Sequence, residues 1–225
     1  MGDNTCKFCK KSFKMLNTLS VHQCVKKRRH HDADLPSSRI GLYVFQRFYQ
    51  LTTANKQPKT LDDFICSNYY LEFVKFAHYL VALSPIDMNA FIDHVIRDGV
   101  KLKDWTSEAV YTRFVSDIVK REPADRAVER TIITMAEWAD RNNMQISDFF
   151  LNVSASEAVF LIIRGKLSPW VLYLSGTADV LMGKFTDEHA SAIDMFISPE
   201  FWQKKFSVNS GDVDFISDVL LASGV

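Results

Sequence analysis

Beyond residue 38, apolar side chains recur at intervals of three and four along most of the chain. Tyr70, Phe73, Val74, Ala77, Leu80 and Val81 form one such stripe, and Val110, Phe114 and Ile118 begin another. This spacing brings successive apolar groups to one side of a 3.6-residue turn and predicts amphipathic helices. The punctuation between stripes agrees. Ser84-Pro85, Ser168-Pro169 and Ser198-Pro199 each set a hydroxyl N-cap before a proline, whose missing N–H is harmless at the first helical position. Pro123 opens a further helix, Ser154 and Glu157 have capping-box spacing, and Gly99, Gly176 and Gly224 stand where helices are expected to end. No Asn-Gly or Asp-Gly pair sits between alternating runs, and the chain has only eight glycines, so strands are not favoured. Residues 39–225 are expected to form an all-α helical domain of about eight to ten helices.

Before residue 39 the pattern changes. Residues 32–38 are polar, contain Pro36 and show no apolar period, which reads as a linker. Over the whole chain 27 Lys+Arg balance 27 Asp+Glu, a neutrality that by itself argues against a polyanionic partner. The balance hides two unlike parts: residues 1–31 hold Lys7, Lys10, Lys11, Lys14, Lys26, Lys27, Arg28 and Arg29 against Asp3 alone, a net +7 that leaves −7 for residues 32–225. Cysteine divides at the same place, with Cys6, Cys9 and Cys24 in the head and only Cys66 beyond it. Such crowding points to a metal site in a reducing compartment rather than to a disulfide framework. Residues 1–5 lack a signal-peptide pattern, and the longest apolar run, Ala158 to Ile163, falls short of the roughly 20 residues of a membrane span. A soluble, cytoplasmic protein with no membrane partner is expected.

Cys6-x-x-Cys9, followed after twelve residues by His22, with Phe13 four residues past Cys9 and Leu19 three before His22, resembles the zinc finger of two cysteines and two histidines. The resemblance covers residues 6–22. It implies Zn2+ as cofactor and a small ββα-like finger, in which a hairpin supplies the cysteines, a helix supplies the histidines, and the Phe and Leu form a core dependent on the metal. The fold class that follows is mostly α, a finger at 1–31 ahead of the all-α domain. The fourth ligand departs from the family, because Lys26, Lys27 and Arg28 stand where the second His belongs. Cys24 is preferred on ligand type and closeness, with His30 or His31 as alternatives through a longer loop. Residues two apart on a helix point about 200° from one another, so Cys24 can join His22 only if the helix unwinds after His22.

In DNA-reading fingers three helix positions contact bases, and the resemblance puts them at Met15, Thr18 and Val21. None makes the bidentate contacts that read guanine or adenine, and one finger spans only about three base pairs. The expected contact is with phosphate instead. Lys10, Lys11, Lys14, Lys26, Lys27, Arg28 and Arg29 would bind DNA or RNA non-specifically, by counterion release. A solvated basic face, or a dock for an acidic protein, are the alternatives.

Residues 39–225 carry no catalytic pattern. His78, His94 and His189 stand in separate segments, and neither a glycine-rich phosphate loop nor a Gly-x-Ser-x-Gly elbow occurs. Asp62-Asp63 and Asp187-Glu188 fall near expected helix starts, where the macrodipole favours them. Trp105, Trp138, Trp170 and Trp202 suggest a large core, and Cys66 reads as a core thiol. A non-enzymatic protein is expected, its helical body recruiting a protein partner through residues 39–225. An assembly protein whose finger clips a protein interface is the alternative. Finally, Cys6-Lys7-Phe8-Cys9-Lys10-Lys11-Ser12-Phe13, Thr18-Leu19, Val21-His22, Cys24 and Lys26-Lys27-Arg28-Arg29-His30 look like zinc-finger proteins of T-even-like tailed phages. That likeness implies a bacterial host cytoplasm or a virion, and a viral role in replication, transcription or assembly.

Overall fold

The structure, a computed structural model, describes residues 4–54 and 57–225. Among these residues it is mostly α, as the periodicity predicts, and holds no strand. Two compact units follow one another, the first ending at Ser107 and the second running from Glu108 to Val225. The first contains α1 (Leu16–Ser20), α2 (Val25–His31), a 3-10 turn at Asp32–Asp34, α3 (Pro36–Thr52), α4 (Leu61–Cys66), α5 (Tyr70–Leu83), α6 (Met88–Arg97) and a second 3-10 turn at Leu102–Asp104.

Packing of α3 on α5 organises this unit. Gly41 of α3 permits the close approach, because a Cβ there would meet the Phe64 ring at 3.1 Å and the Phe73 carbonyl at 3.5 Å. Phe45 then lies 5.3 Å from Phe64 and 5.4 Å, edge-on, from Phe73. Trp105 closes the cluster against Phe73 and Phe76 and satisfies its indole N–H on the Val100 carbonyl at 2.9 Å. Full burial of each such ring contributes about 2–3 kcal/mol. The buried face of α5 comprises Tyr70, Phe73, Phe76, Ala77 and Leu80, while Val81 of the predicted stripe stays 55% exposed. Phe76 replaces it because Phe91 of α6 and Trp105 both pack there.

The second unit contains α7 (Glu108–Arg121), α8 (Ala124–Asn142), α9 (Phe149–Asn152), α10 (Ala155–Ile163), α11 (Pro169–Leu174), α12 (Ala178–Met182), α13 (Asp187–Ile197), α14 (Pro199–Val208) and α15 (Ser210–Ala222). The four tryptophans are all buried, as expected. Trp170 meets Trp202 edge-on at 5.8 Å, and Lys205 reaches over both rings to donate to the Lys120 carbonyl at 2.7 Å.

From residue 36 on, the described residues form thirteen α-helices, more than the eight to ten expected. The surplus comes from α4, α9, α11 and α12, of four to six residues each, too short to display a period. Ser168 caps α11, Ser154 caps α10 and Pro123 stands at the N-cap of α8. Ser84 corrects the reading of Ser84-Pro85 as a helix start. It takes a left-handed conformation, φ 47°, donates its N–H to Leu80 and ends α5, and Asp87 caps α6 instead. The proline acts here as a stop signal just past a C-cap. No single helix among the described residues is long and apolar enough to cross a membrane.

Candidate metal centre

Cys6 and Cys9 flank a tight knuckle. The Cys6 N–H donates to the Lys11 carbonyl and the Lys10 N–H to the Cys6 carbonyl, each at 2.9 Å. Lys10 adopts φ 60°, a left-handed conformation that costs a side-chain-bearing residue about 1 kcal/mol and turns the chain sharply. Farther out, Phe13 N–H donates to the Asn4 carbonyl at 2.9 Å. The expected ββ hairpin is reduced to one isolated bridge, Thr5 with Ser12. Its arms are too short for a ladder.

The expected ligand helix is also interrupted. α1 is five residues long and ends at Ser20; residues 21–23 are not helical, and α2 starts afresh with Cys24 as N-cap in extended backbone, φ −128° and ψ 159°. His22 therefore sits off the helix, in the break that an x-spaced His/Cys pair requires. The Cys24 sulfur accepts the Lys27 N–H at 3.4 Å. A zinc thiolate is commonly steadied by such a bond, since a backbone N–H donating to the sulfur fixes its orientation.

The outcome is a cluster of four ligand atoms, from Cys6, Cys9, His22 and Cys24, all within 4.8 Å of one another. Cys9 Sγ and His22 Nε2 are 3.3 Å apart. In tetrahedral zinc, with bonds of about 2.3 Å to sulfur and 2.0 Å to nitrogen, neighbouring donors stand roughly 3.5–3.8 Å apart. The donor set and its dimensions thus fit one ion. Among the described residues no other group of three or more His, Cys, Asp or Glu side chains is close enough to share a metal. Backbone hydrogen bonding from Cys9 pulls the Cys6 thiol down to about 7, favouring the thiolate that a metal needs. Cys9 receives the Lys11 N–H, but burial and the neighbouring Cys6 and Cys24 sulfurs outweigh it and leave that thiol raised.

His30 and His31 lie outside the cluster. His30 Nε2 is 3.3 Å from Asp62 of α4, and its ring packs on Phe8 at 4.9 Å; His31 ends α2, exposed. Phe13 and Leu19, the expected small core, are half-buried. Phe13 braces the ligand directly, its ring centroid 4.7 Å from that of His22.

The seven basic residues separate into two kinds. Lys10, Lys11, Lys14 and Arg28 are exposed, Lys26 and Lys27 half-buried, and Lys27 Nζ donates to the His22 carbonyl at 3.3 Å. Arg29 belongs to the helical core instead. Its guanidinium donates to the Ile65 and Ser67 carbonyls at 2.7 and 3.1 Å and covers the Tyr70 ring at 4.2 Å. Residues 4–31 contain no carboxylate. Met15 and Val21, two of the positions expected by resemblance to face bases, are open to solvent, 66% and 76% exposed.

Elsewhere, His94 pairs with Asp98 at 3.3 Å. His189 caps α13: its Nδ1 accepts the Thr186 N–H at 3.3 Å, and Nε2 lies 3.4 Å from Ser156 Oγ. Because a backbone N–H can only donate, Nε2 carries the proton and donates to the serine. Asp63 caps α4 through Thr60, whose backbone N–H holds its carboxyl below the usual range. Asp187 and Glu188 occupy the first turn of α13, as expected. Cys66 corrects its reading as a core thiol, being exposed at the end of α4. The chain there leaves the packed face, which Phe64 and Ile65 already fill.

Comparison with protein-family models, curated proteins and solved structures finds no match for the chain.

Proposed function

We propose that this is a non-enzymatic zinc-binding accessory protein, in which Zn2+ held by Cys6, Cys9, His22 and Cys24 orders a basic head that contacts DNA or RNA without reading sequence. The helical body recruits a protein partner. The four-donor cluster carries the reading. Four protein ligands complete a tetrahedral shell, the arrangement of structural zinc, whereas catalytic zinc keeps a position open. Three thiolates suit zinc better than harder divalent ions. Exposure of Lys10, Lys11, Lys14 and Arg28 on a segment free of carboxylates supports phosphate contact. The phage-like phrases of the head suggest a bacterial host cytoplasm, or a virion, as the setting.

Exposed Met15, Leu16 and Val21 favour a second reading, a zinc clip for a protein interface. Fluorescence anisotropy with unrelated duplexes and single strands separates the two. The first reading expects similar affinity for every sequence, lost when zinc is stripped. No binding at about 50 mM salt contradicts it, as does binding that survives removal of residues 1–31. A protein complex that persists after nuclease and in high salt favours the clip.

A further inference from the structure

We infer that the metal centre is a latch on the first helical unit, so that zinc occupancy governs whether α2 stays docked on α4 and α5. This rests on the proposal that the four-residue cluster binds zinc. Both halves of the cluster are tied to the helical layer. On the knuckle side, Phe8 stands between Cys6 and Cys9 and packs on His30, which pairs with Asp62 of α4. On the other side, Cys24 is at once a ligand candidate and the N-cap of α2.

α2 carries Arg29 to the C-terminal end of α4. Carbonyls in the last turn of a helix have no partner within it, and Arg29 supplies donors to Ile65 and Ser67 there. Its guanidinium also covers the ring of Tyr70, which is 5% exposed and opens α5. A seven-residue helix is far below the length that is stable alone. α2 therefore depends on support at both ends, sulfur and metal at its start and the α4–α5 corner near its finish. Losing the metal removes the first support, and undocking then uncovers Tyr70 and strands the two carbonyls. Coupling of this kind is reciprocal, so loosening Arg29 must weaken zinc binding.

The test is hydrogen exchange on the full chain, zinc-loaded and after zinc is stripped with a high-affinity chelator, with zinc content measured alongside. Stripping is expected to raise exchange over residues 61–70 at least ~10-fold as well as over the head, and to leave 108–225 unchanged. Arg29→Gln is expected to keep one zinc but bind it about 10-fold more weakly, with 61–70 loosened in the same way; Arg29→Lys, which keeps the charge, restores part of both. A chain that takes up one zinc and loses it with 61–70 unmoved overturns the latch and leaves the zinc reading standing. A chain that takes up no zinc overturns both.

Discussion

If the basic head holds nucleic acid, the salt dependence of binding counts the cations that reach phosphate. Of the seven residues expected to contact phosphate, Arg29 is engaged with two backbone carbonyls and an aromatic ring, which leaves Lys10, Lys11, Lys14, Lys26, Lys27 and Arg28. With each neutralised phosphate contributing about −0.9 to the slope of log K against log salt, full engagement on duplex DNA gives a slope near −5, and on a single strand near −4. Between about 50 and 200 mM salt the duplex affinity then falls roughly 1,000-fold. Fluorescence anisotropy on the zinc-loaded chain measures the slope. Replacing Lys10, Lys11 and Lys14 together with Gln should flatten it by nearly 3, about 0.9 for each. Arg29→Gln should leave the slope of the residual binding nearly unchanged, since that guanidinium makes no phosphate contact in this scheme. A slope near zero refutes the reasoning. So does a triple variant with the parent slope, or an Arg29 variant that flattens it as much as Arg28→Gln.

Further expectations concern the rest of the molecule. Alkylation followed by intact mass should label the exposed Cys66 in the zinc-loaded chain without releasing metal, and should reach Cys6, Cys9 and Cys24 only after chelation. Hydrogen bonds from Arg47 hold the Asp93 carboxyl below its ordinary 3.8. Being depressed, this group stabilises the fold above its unfolded value and loses that contribution as pH falls through the folded one. Asp93→Asn should therefore lower the urea midpoint near neutral pH, and the difference between the two proteins should shrink as the pH falls below 3.8. Gly41→Ala should destabilise by about 1–3 kcal/mol in urea unfolding, because the added methyl presses on the Phe64 ring at 3.1 Å.

Periodicity made the α class legible, and the Cys/His spacing with Phe13 located the cluster. Both rest on local chemistry, where a side chain's neighbours in space are its neighbours in sequence. Cys24 was favoured for the same reason, and the break it required is visible as the non-helical residues 21–23. What escaped the sequence is tertiary. Arg29 reads as one more cation in a basic run, and only the corner of α4 and α5 separates it from Arg28. His30 likewise has the chemistry of a ligand, but α2 directs it to Asp62 and Phe8. Ser84-Pro85 carries the composition of a helix start, yet a proline serves equally after a helix end, and Asp87 three residues on supplies the better cap. The division after Ser107 follows from which helices pack together, a choice that leaves no mark in composition.

Zinc measured per chain by elemental analysis, in the parent protein, in Cys24→Ser and in the double variant His30→Ala with His31→Ala, tests the central claim most directly. One zinc in the parent and in the double histidine variant, with loss in Cys24→Ser, is the result the account predicts. A parent chain without zinc, or a Cys24→Ser chain that keeps it while the histidine variant does not, contradicts it.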